Sequence, residues 1–132
     1  MKLENLGRYS PVFLRVAISA MFFWFGFSQI RNPDVWTGMI PNYVFSLLHL
    51  SPKTLVYFNG TFEVVFAFLL LLGLFTRFVS LILGLHLLHI VTILGYNELG
   101  VRDFTLALAT IAVFLHGPDE FCLDKLKFRK KD

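Results

Sequence analysis

One carboxylate and two imidazoles stand where the sequence is otherwise apolar. Glu63 lies near the middle of the apolar run 54–74, and His86 and His89 lie near the middle of the next run, 78–96. An ionisable group deep in a membrane is costly, so it is usually paired or used. A carboxylate and an imidazole held together can pass a proton near neutral pH, or hydrogen-bond the oxygens of a quinone head. We therefore take Glu63, His86 and His89 as candidate proton-relay residues.

Helical spacing places these groups at similar depth. Asn59 precedes Glu63 by four residues and shares its face, and His89 follows His86 by three residues. Only "GLFTR" separates the two runs, so we expect adjacent, antiparallel helices and a contact between the carboxylate and an imidazole. A structural Glu–His pair without a chemical role is the competing interpretation.

Other polar residues are predicted to reach the same half of the bundle and to line a ligand-binding pocket with these groups. They are Gln29, Asn59, Tyr96, Arg102 and Asp103. Gln29 and Asn59 could instead be simple interhelical hydrogen bonders, worth about 1 kcal/mol each. Arg15 lies about one turn inside the membrane edge and is interpreted as a snorkelling anchor. His49 and His116 are placed near the interfaces, with no further role.

Metal and haem chemistry are not favoured by the residue pattern. Two haem-ligating histidines should stand on facing helices, whereas His86 and His89 share one helix. Together with Glu63 they form only a generic ligand set, so no metal site is predicted. Cys122 is the single cysteine, which excludes an internal disulfide or a CxxC dithiol.

The elements that must position these residues are membrane spans. Apolar residues make up 56% of the 132-residue chain, above the soluble average of about 45–50%, and only 16% are charged. We predict an all-α membrane protein, a four-transmembrane-helix bundle that forms a single membrane domain over residues 1–132. The predicted spans are about 11–30, 54–74, 78–96 and 103–117.

The loops and flanks suggest an orientation. The loop between the first two spans contains "NYVFSLLHL" among prolines, which predicts a short interfacial helix in the first outer loop. With the N-terminus inside, nine of the 12 basic residues flank the inner side, and both termini are predicted to be cytoplasmic. The basic tail, residues 118–132, suits a lipid surface better than nucleic acid, for which it offers too few residues.

The linear pattern resembles the DoxX family of small four-span membrane proteins. The resemblance rests on "LRVAISAMFFWFGFSQIRNP", "GTFEVVFAFLLLLGLFTR" and "HGPDEFCLD". The chain departs from the family pattern where Gln29 stands for a usual lysine, Asp119 for a glycine and Cys122 for a serine. The family-like positions are Arg15, Gly60, Glu63, Gly73, Arg77, Gly117, Pro118 and Asp124.

The resemblance implies an association with quinone-dependent oxidoreductases, including thiosulfate oxidation at the membrane, and with oxidative-stress assemblies. The expected function is thus a subunit of a respiratory or other quinone-linked oxidoreductase assembly in the cell membrane, more than a self-sufficient enzyme. Its partners would be the lipid bilayer and either other membrane subunits or further copies of itself, and its possible cofactor a quinone. A non-catalytic assembly subunit is the alternative, and a small transporter a weaker one, because four spans leave little room for a gated path.

Overall fold

The structure is a computed structural model that describes residues 2–129, with side chains through Leu126. The predicted basic tail is therefore seen only in part, and Lys130 and Lys131 lie outside the described residues. A 3₁₀ helix, Leu3–Tyr9, leads into the first of seven described α-helices. These are α1 Ser10–Arg31, α2 Pro33–Thr37, α3 Asn42–Leu48, α4 Pro52–Leu72, α5 Thr76–Leu94, α6 Glu98–His116 and α7 Leu123–Arg129.

Four of these helices, α1, α4, α5 and α6, are long and apolar enough to cross a membrane. The described residues contain no strand. The predicted four-span, all-α membrane fold is thereby confirmed. The two short helices α2 and α3 occupy the long loop after the first span, where one interfacial helix was predicted.

Local capping explains where the spans begin and end. Ser51 caps α4 by accepting a hydrogen bond from the Thr54 N–H at 3.2 Å. Asn97 does the same for α6 through the Gly100 N–H at 2.9 Å, so the fourth span begins at Glu98, five residues before its predicted start. At the other end of α4, Gly73 has a φ of +72°, a left-handed conformation that suits glycine and ends the helix.

The bundle consists of two closely packed helix pairs, α1 with α4 and α5 with α6. A Cβ added at Gly60 would lie 2.9 Å from the Gly26 carbonyl oxygen, so the α1–α4 crossing depends on glycine. The α4–α5 contact is much less extensive, although only a short turn joins these helices. Tight sequence spacing therefore predicted the neighbours correctly but not the principal packing partners.

Apolar side chains divide between a narrow core and a wide outer surface. The core includes Phe22, Leu70 and Leu83, each almost fully buried. Trp24 and Phe78 are among many large apolar side chains that are mostly exposed, which suits contact with lipid tails. The spans therefore present a largely apolar outer surface, while some polar side chains, such as Ser19, Gln29 and Glu63, are buried inside the bundle.

The N-terminal part of the chain, the α4–α5 turn and residues 117–126 meet at one end of the bundle, which we call the terminus end. There Arg15 is 3% exposed and its Nε lies 2.6 Å from Oδ2 of Asp119, which is 2% exposed. The Arg15 guanidinium also donates to the carbonyl oxygens of Leu70 and Leu71. The interpretation of Arg15 as a snorkelling anchor is thus wrong, because a buried carboxylate and two helix-terminal carbonyls hold it inside the protein.

A second carboxylate fastens the same segment. Asp124 accepts hydrogen bonds from the backbone N–H groups of Phe75 and Thr76 and from the Thr76 hydroxyl, each at 2.8 Å. These are the first donors of α5, where negative charge is favourable. Cys122 packs against Gly73 in the same region, and burial raises the pKa of its thiol, so this cysteine is protonated at neutral pH.

Candidate functional site

A cavity of about 520 Å³ lies between the two helix pairs at the opposite end of the bundle, which we call the loop end. All four spans and the α2–α3 segment contribute to its wall, which is mostly apolar. The polar side chains that line it are Gln29, Asn59, Glu63, His86, His89, Arg102 and Asp103. The structure thus brings seven of the eight predicted site residues to one cavity.

Glu63, Gln29 and Asn59 form a closed hydrogen-bonded cluster between α1 and α4. Gln29 Nε2 donates to Glu63 Oε2 at 2.9 Å, and Asn59 Nδ2 donates to Glu63 Oε1 at 3.1 Å. Asn59 Nδ2 also donates to Gln29 Oε1 at 2.7 Å. The close approach of the helices at Gly26 and Gly60 makes this cluster possible, since it lets the short amide side chains span the gap.

His86 brings an imidazole to the same carboxylate from α5. Its Nε2 lies 3.3 Å from Glu63 Oε1, and the edge of the Phe62 ring packs against it at 5.0 Å. The His86 side chain is 20% exposed, whereas that of Glu63 is 4% exposed. His86 therefore stands between the buried carboxylate and the more open part of the cavity.

The hydrogen-bond partners of Glu63 and His86 determine which proton transfers are possible in the cavity. Both carboxylate oxygens of Glu63 accept an amide hydrogen bond, and one also faces the imidazole. Among the described residues, no buried side-chain nitrogen or oxygen lacks a partner. Glu63 and His86 can exchange a proton directly across their contact, and His86 can present a donor or an acceptor to a molecule in the cavity.

Arg102 and Asp103 form a second charged group on the cavity wall, near the beginning of α6. Arg102 Nε lies 2.9 Å from Asp103 Oδ1, and the guanidinium carbon lies 5.1 Å from the centroid of the Phe25 ring. The ring contact is a cation–π interaction between α6 and α1. The pair therefore adds charge to the cavity and connects the two helix pairs.

Of the remaining two predicted residues, His89 lies at the cavity and Tyr96 does not. His89 lines the cavity, but its side chain is exposed and no described contact joins it to Glu63. Tyr96 is 100% exposed and lies outside the cavity, contrary to its predicted place in the pocket. The reason is that α5 ends at Leu94 and Gly95 turns the chain with a φ of +76°, so the helical stripe through His86 and His89 does not continue to Tyr96.

An aromatic cover over the cavity was not recognised in the sequence. Trp36 on α2 lines the cavity, donates from Nε1 to the Ser28 hydroxyl at 3.1 Å and packs edge-on against Phe25 at 5.9 Å. In the sequence Trp36 is only an aromatic residue in the long loop after the first span. Its spacing of eight residues from Ser28, across a helix end, gives no periodic signal of this contact.

The described residues include no group of three or more His, Cys, Asp or Glu side chains that could hold a metal ion. Comparison with known proteins identifies a family. A family model described as DoxX matches residues 10–95, a stretch that runs from α1 to the end of α5. It contains five of the seven polar residues that line the cavity, which are Gln29, Asn59, Glu63, His86 and His89. No curated protein and no solved structure matches the chain.

Proposed function

This chain belongs to the DoxX family, and on that premise we propose that it is an integral membrane subunit of a respiratory or other quinone-linked oxidoreductase assembly. Its loop-end cavity would lie next to the quinone or relay a proton to it. The observation that carries the proposal is the contact between Glu63 and His86 inside a largely apolar cavity.

The cavity suits a quinone in size and in chemistry. Its volume of about 520 Å³ falls within the range of about 300–1,000 Å³ that ligand pockets occupy. A quinone ring is apolar on its faces and carries carbonyl oxygens that accept hydrogen bonds. The His86 imidazole and the Arg102 guanidinium are the donors on the wall that could meet such oxygens, because the side-chain N–H groups of Gln29 and Asn59 already donate within the protein.

Reduction of a quinone consumes protons as well as electrons. In the proposed role, His86 exchanges a proton with the cavity and Glu63 holds or returns it, across the 3.3 Å between Nε2 and Oε1. The chain has a single cysteine and hence no dithiol, so the electrons are assigned to a partner of the assembly. That partner would contact the exposed apolar faces of the bundle, as would the lipid bilayer or a second copy of the chain.

The orientation belongs to the same proposal. In the sequence, nine of the 12 basic residues lie in the segments predicted to flank the inner side. By the positive-inside rule we assign the terminus end to the cytoplasm and the cavity to the outer half of the cell membrane.

Extraction in native lipid tests the proposal. We expect the protein, purified from its membrane in lipid nanodiscs, to retain quinone above the level of empty nanodiscs from the same membrane, measured by solvent extraction and mass spectrometry. Glu63→Gln should lose this excess, and Glu98→Gln, at an exposed acid in the first turn of α6, should keep it. Quinone at the background level in the unsubstituted protein would contradict the proposal.

A non-catalytic assembly subunit is the second candidate, and the fully satisfied hydrogen bonds around Glu63 support it. The combined substitution Glu63→Gln with His86→Phe separates the two functions. Loss of the assembled complex, with unchanged turnover in each complex that still forms, would favour the assembly role over the proton relay.

A further inference from the structure

We infer that the cavity opens sideways to the lipid between α4 and α5, and that its ligand is a lipid-soluble amphiphile which reaches Glu63 from within the bilayer. The inference deepens the function proposed above and takes its quinone as one member of that ligand class. Phe58 on α4 and His89 on α5 form the two sides of this opening, which we call the portal.

The seams within each helix pair are closed by glycine packing. A Cβ added at Gly26 would lie 2.6 Å from Val64 Cγ2, so α1 and α4 touch along the level of the cavity. A Cβ added at Gly84 would lie 2.9 Å from Ile111 Cγ1, which shows the same close approach between α5 and α6. A ligand with a ring cannot pass through either seam without separating helices.

The loop end and the α1–α6 seam are covered by aromatic contacts. Trp36 is held to α1 by its hydrogen bond to Ser28 and its edge-on contact with Phe25. The Arg102 guanidinium, from α6, lies over the same Phe25 ring. Phe25 thus joins the cover and the α6 charge pair to α1, which bridges the sparsely packed α1–α6 seam. The α4–α5 seam is packed as sparsely, and on the loop side of the Glu63–His86 contact no hydrogen bond or ring contact among the described residues bridges it.

Two residues at the α4–α5 seam, Phe58 and His89, line the cavity and are also exposed on the outer surface. Phe58 is 74% exposed and His89 is also exposed, yet both belong to the cavity wall. Phe58 is the seventh residue of α4, and His89 precedes the end of α5 by five residues. At 1.5 Å per residue, both lie about 8–9 Å inside the helix ends, at the depth of lipid and not of bulk water.

The polar and apolar parts of the cavity wall would determine how the ligand is oriented. The hydrogen-bonding groups, Gln29, Asn59, Glu63 and His86, lie on the bundle side, and the apolar ring of Phe58 lies at the portal. A molecule with a small polar head and an apolar tail would place its head at Glu63 and its tail in the bilayer. A water-soluble metabolite would gain nothing from a portal at this depth.

Spin labelling can test the portal without any ligand. The buried Cys122 is first replaced by serine, and a nitroxide is attached at His89→Cys or, in a second variant, at Phe58→Cys, in reconstituted liposomes. We expect both labels to be relaxed by oxygen, which dissolves in lipid, more than by a water-soluble nickel chelate. A label at Tyr96→Cys, fully exposed beyond the helix end, should show the opposite preference.

Nickel-dominated relaxation at positions 58 and 89 would overturn the inference, because the cavity would then open to water. A second arm adds a long-tailed ubiquinone to the liposomes, which should lower oxygen relaxation at both portal positions and leave a label at the lipid-facing Phe68→Cys unchanged. Oxygen-dominated relaxation that does not respond to the quinone would support the portal and count against the quinone-linked function.

Discussion

Replacing Asp119 with asparagine should lower the free energy of unfolding by about 3–5 kcal/mol, the usual cost of removing one member of a buried ion pair. The substitution preserves shape but leaves the Arg15 guanidinium, 3% exposed, without its carboxylate. The two remaining backbone carbonyls cannot neutralise that charge. The measurement is the loss of helicity on titration with a denaturing detergent, for the variant and the unsubstituted protein.

The neighbouring residue Glu120 provides the matched control, because it is 53% exposed and lies 3.9 Å from the equally exposed Arg8. Glu120→Gln should therefore change stability little. The double variant Arg15→Met with Asp119→Leu should be more stable than Asp119→Asn, since it removes both buried charges together. Equal stability of Asp119→Asn and the unsubstituted protein would show that the ion pair does not hold the C-terminal segment.

The same pair has a defined pH dependence. Burial alone would raise the pKa of Asp119, but the hydrogen bonds from Arg15 and from the Phe121 N–H, with the Arg15 charge, outweigh it and hold the pKa below its ordinary 3.8. A carboxyl group whose pKa is lowered in the folded state stabilises the protein above the unfolded-state value. This contribution is present at neutral pH and is lost as the pH falls below about 3.8 and through the lower folded-state pKa.

Glu63→Gln should weaken the binding of a long-tailed ubiquinone by about 10–100-fold, the equivalent of about 1.5–3 kcal/mol. Glutamine is close in shape to glutamate, but only one of its two terminal side-chain atoms accepts a hydrogen bond. The substitution therefore forces the side chains of Gln29, Asn59 and His86 to reorient together. Quenching of Trp36 fluorescence by the quinone measures the affinity in a Trp24→Phe background, because the chain has two tryptophans and only Trp36 lines the cavity.

Glu98→Gln is the control for this titration, since Glu98 lies in the first turn of α6 at an exposed position. Its affinity should equal that of the unsubstituted protein. An unchanged affinity in Glu63→Gln would mean that the carboxylate does not meet the ligand and would favour the structural interpretation of the Glu–His pair.

The sequence predicted the fold and most of the cavity because both depend on local periodicity. Uninterrupted apolar runs identify spans, and helical spacing assigns Asn59 and Glu63 to one face and His86 to a matching depth on the next span. The shared face and the matching depth can both be derived within the single helical hairpin formed by α4 and α5. The prediction for Tyr96 was wrong because a glycine with positive φ ends the helix before it, a conformation that apolar periodicity does not reveal.

The contacts between distant parts of the chain could not be derived from the sequence. Arg15 and Asp119 are 104 residues apart, and nothing in their spacing links them. A lone arginine near a membrane edge is compatible with snorkelling, so only the three-dimensional structure distinguishes that from a buried ion pair. The aromatic cover could not be derived from the sequence for the same reason, since Trp36 reaches Ser28 only because the chain reverses between α1 and α2.

Photoaffinity labelling with an azido-quinone tests most directly whether the loop-end cavity holds a quinone. In liposomes of the unsubstituted protein, we expect the label to attach to peptides that contain Trp36, Phe58 or His89, and excess unmodified quinone should prevent this labelling. Labelling confined to lipid-facing peptides such as those with Phe13 or Phe78, with no competition by unmodified quinone, would contradict this expectation.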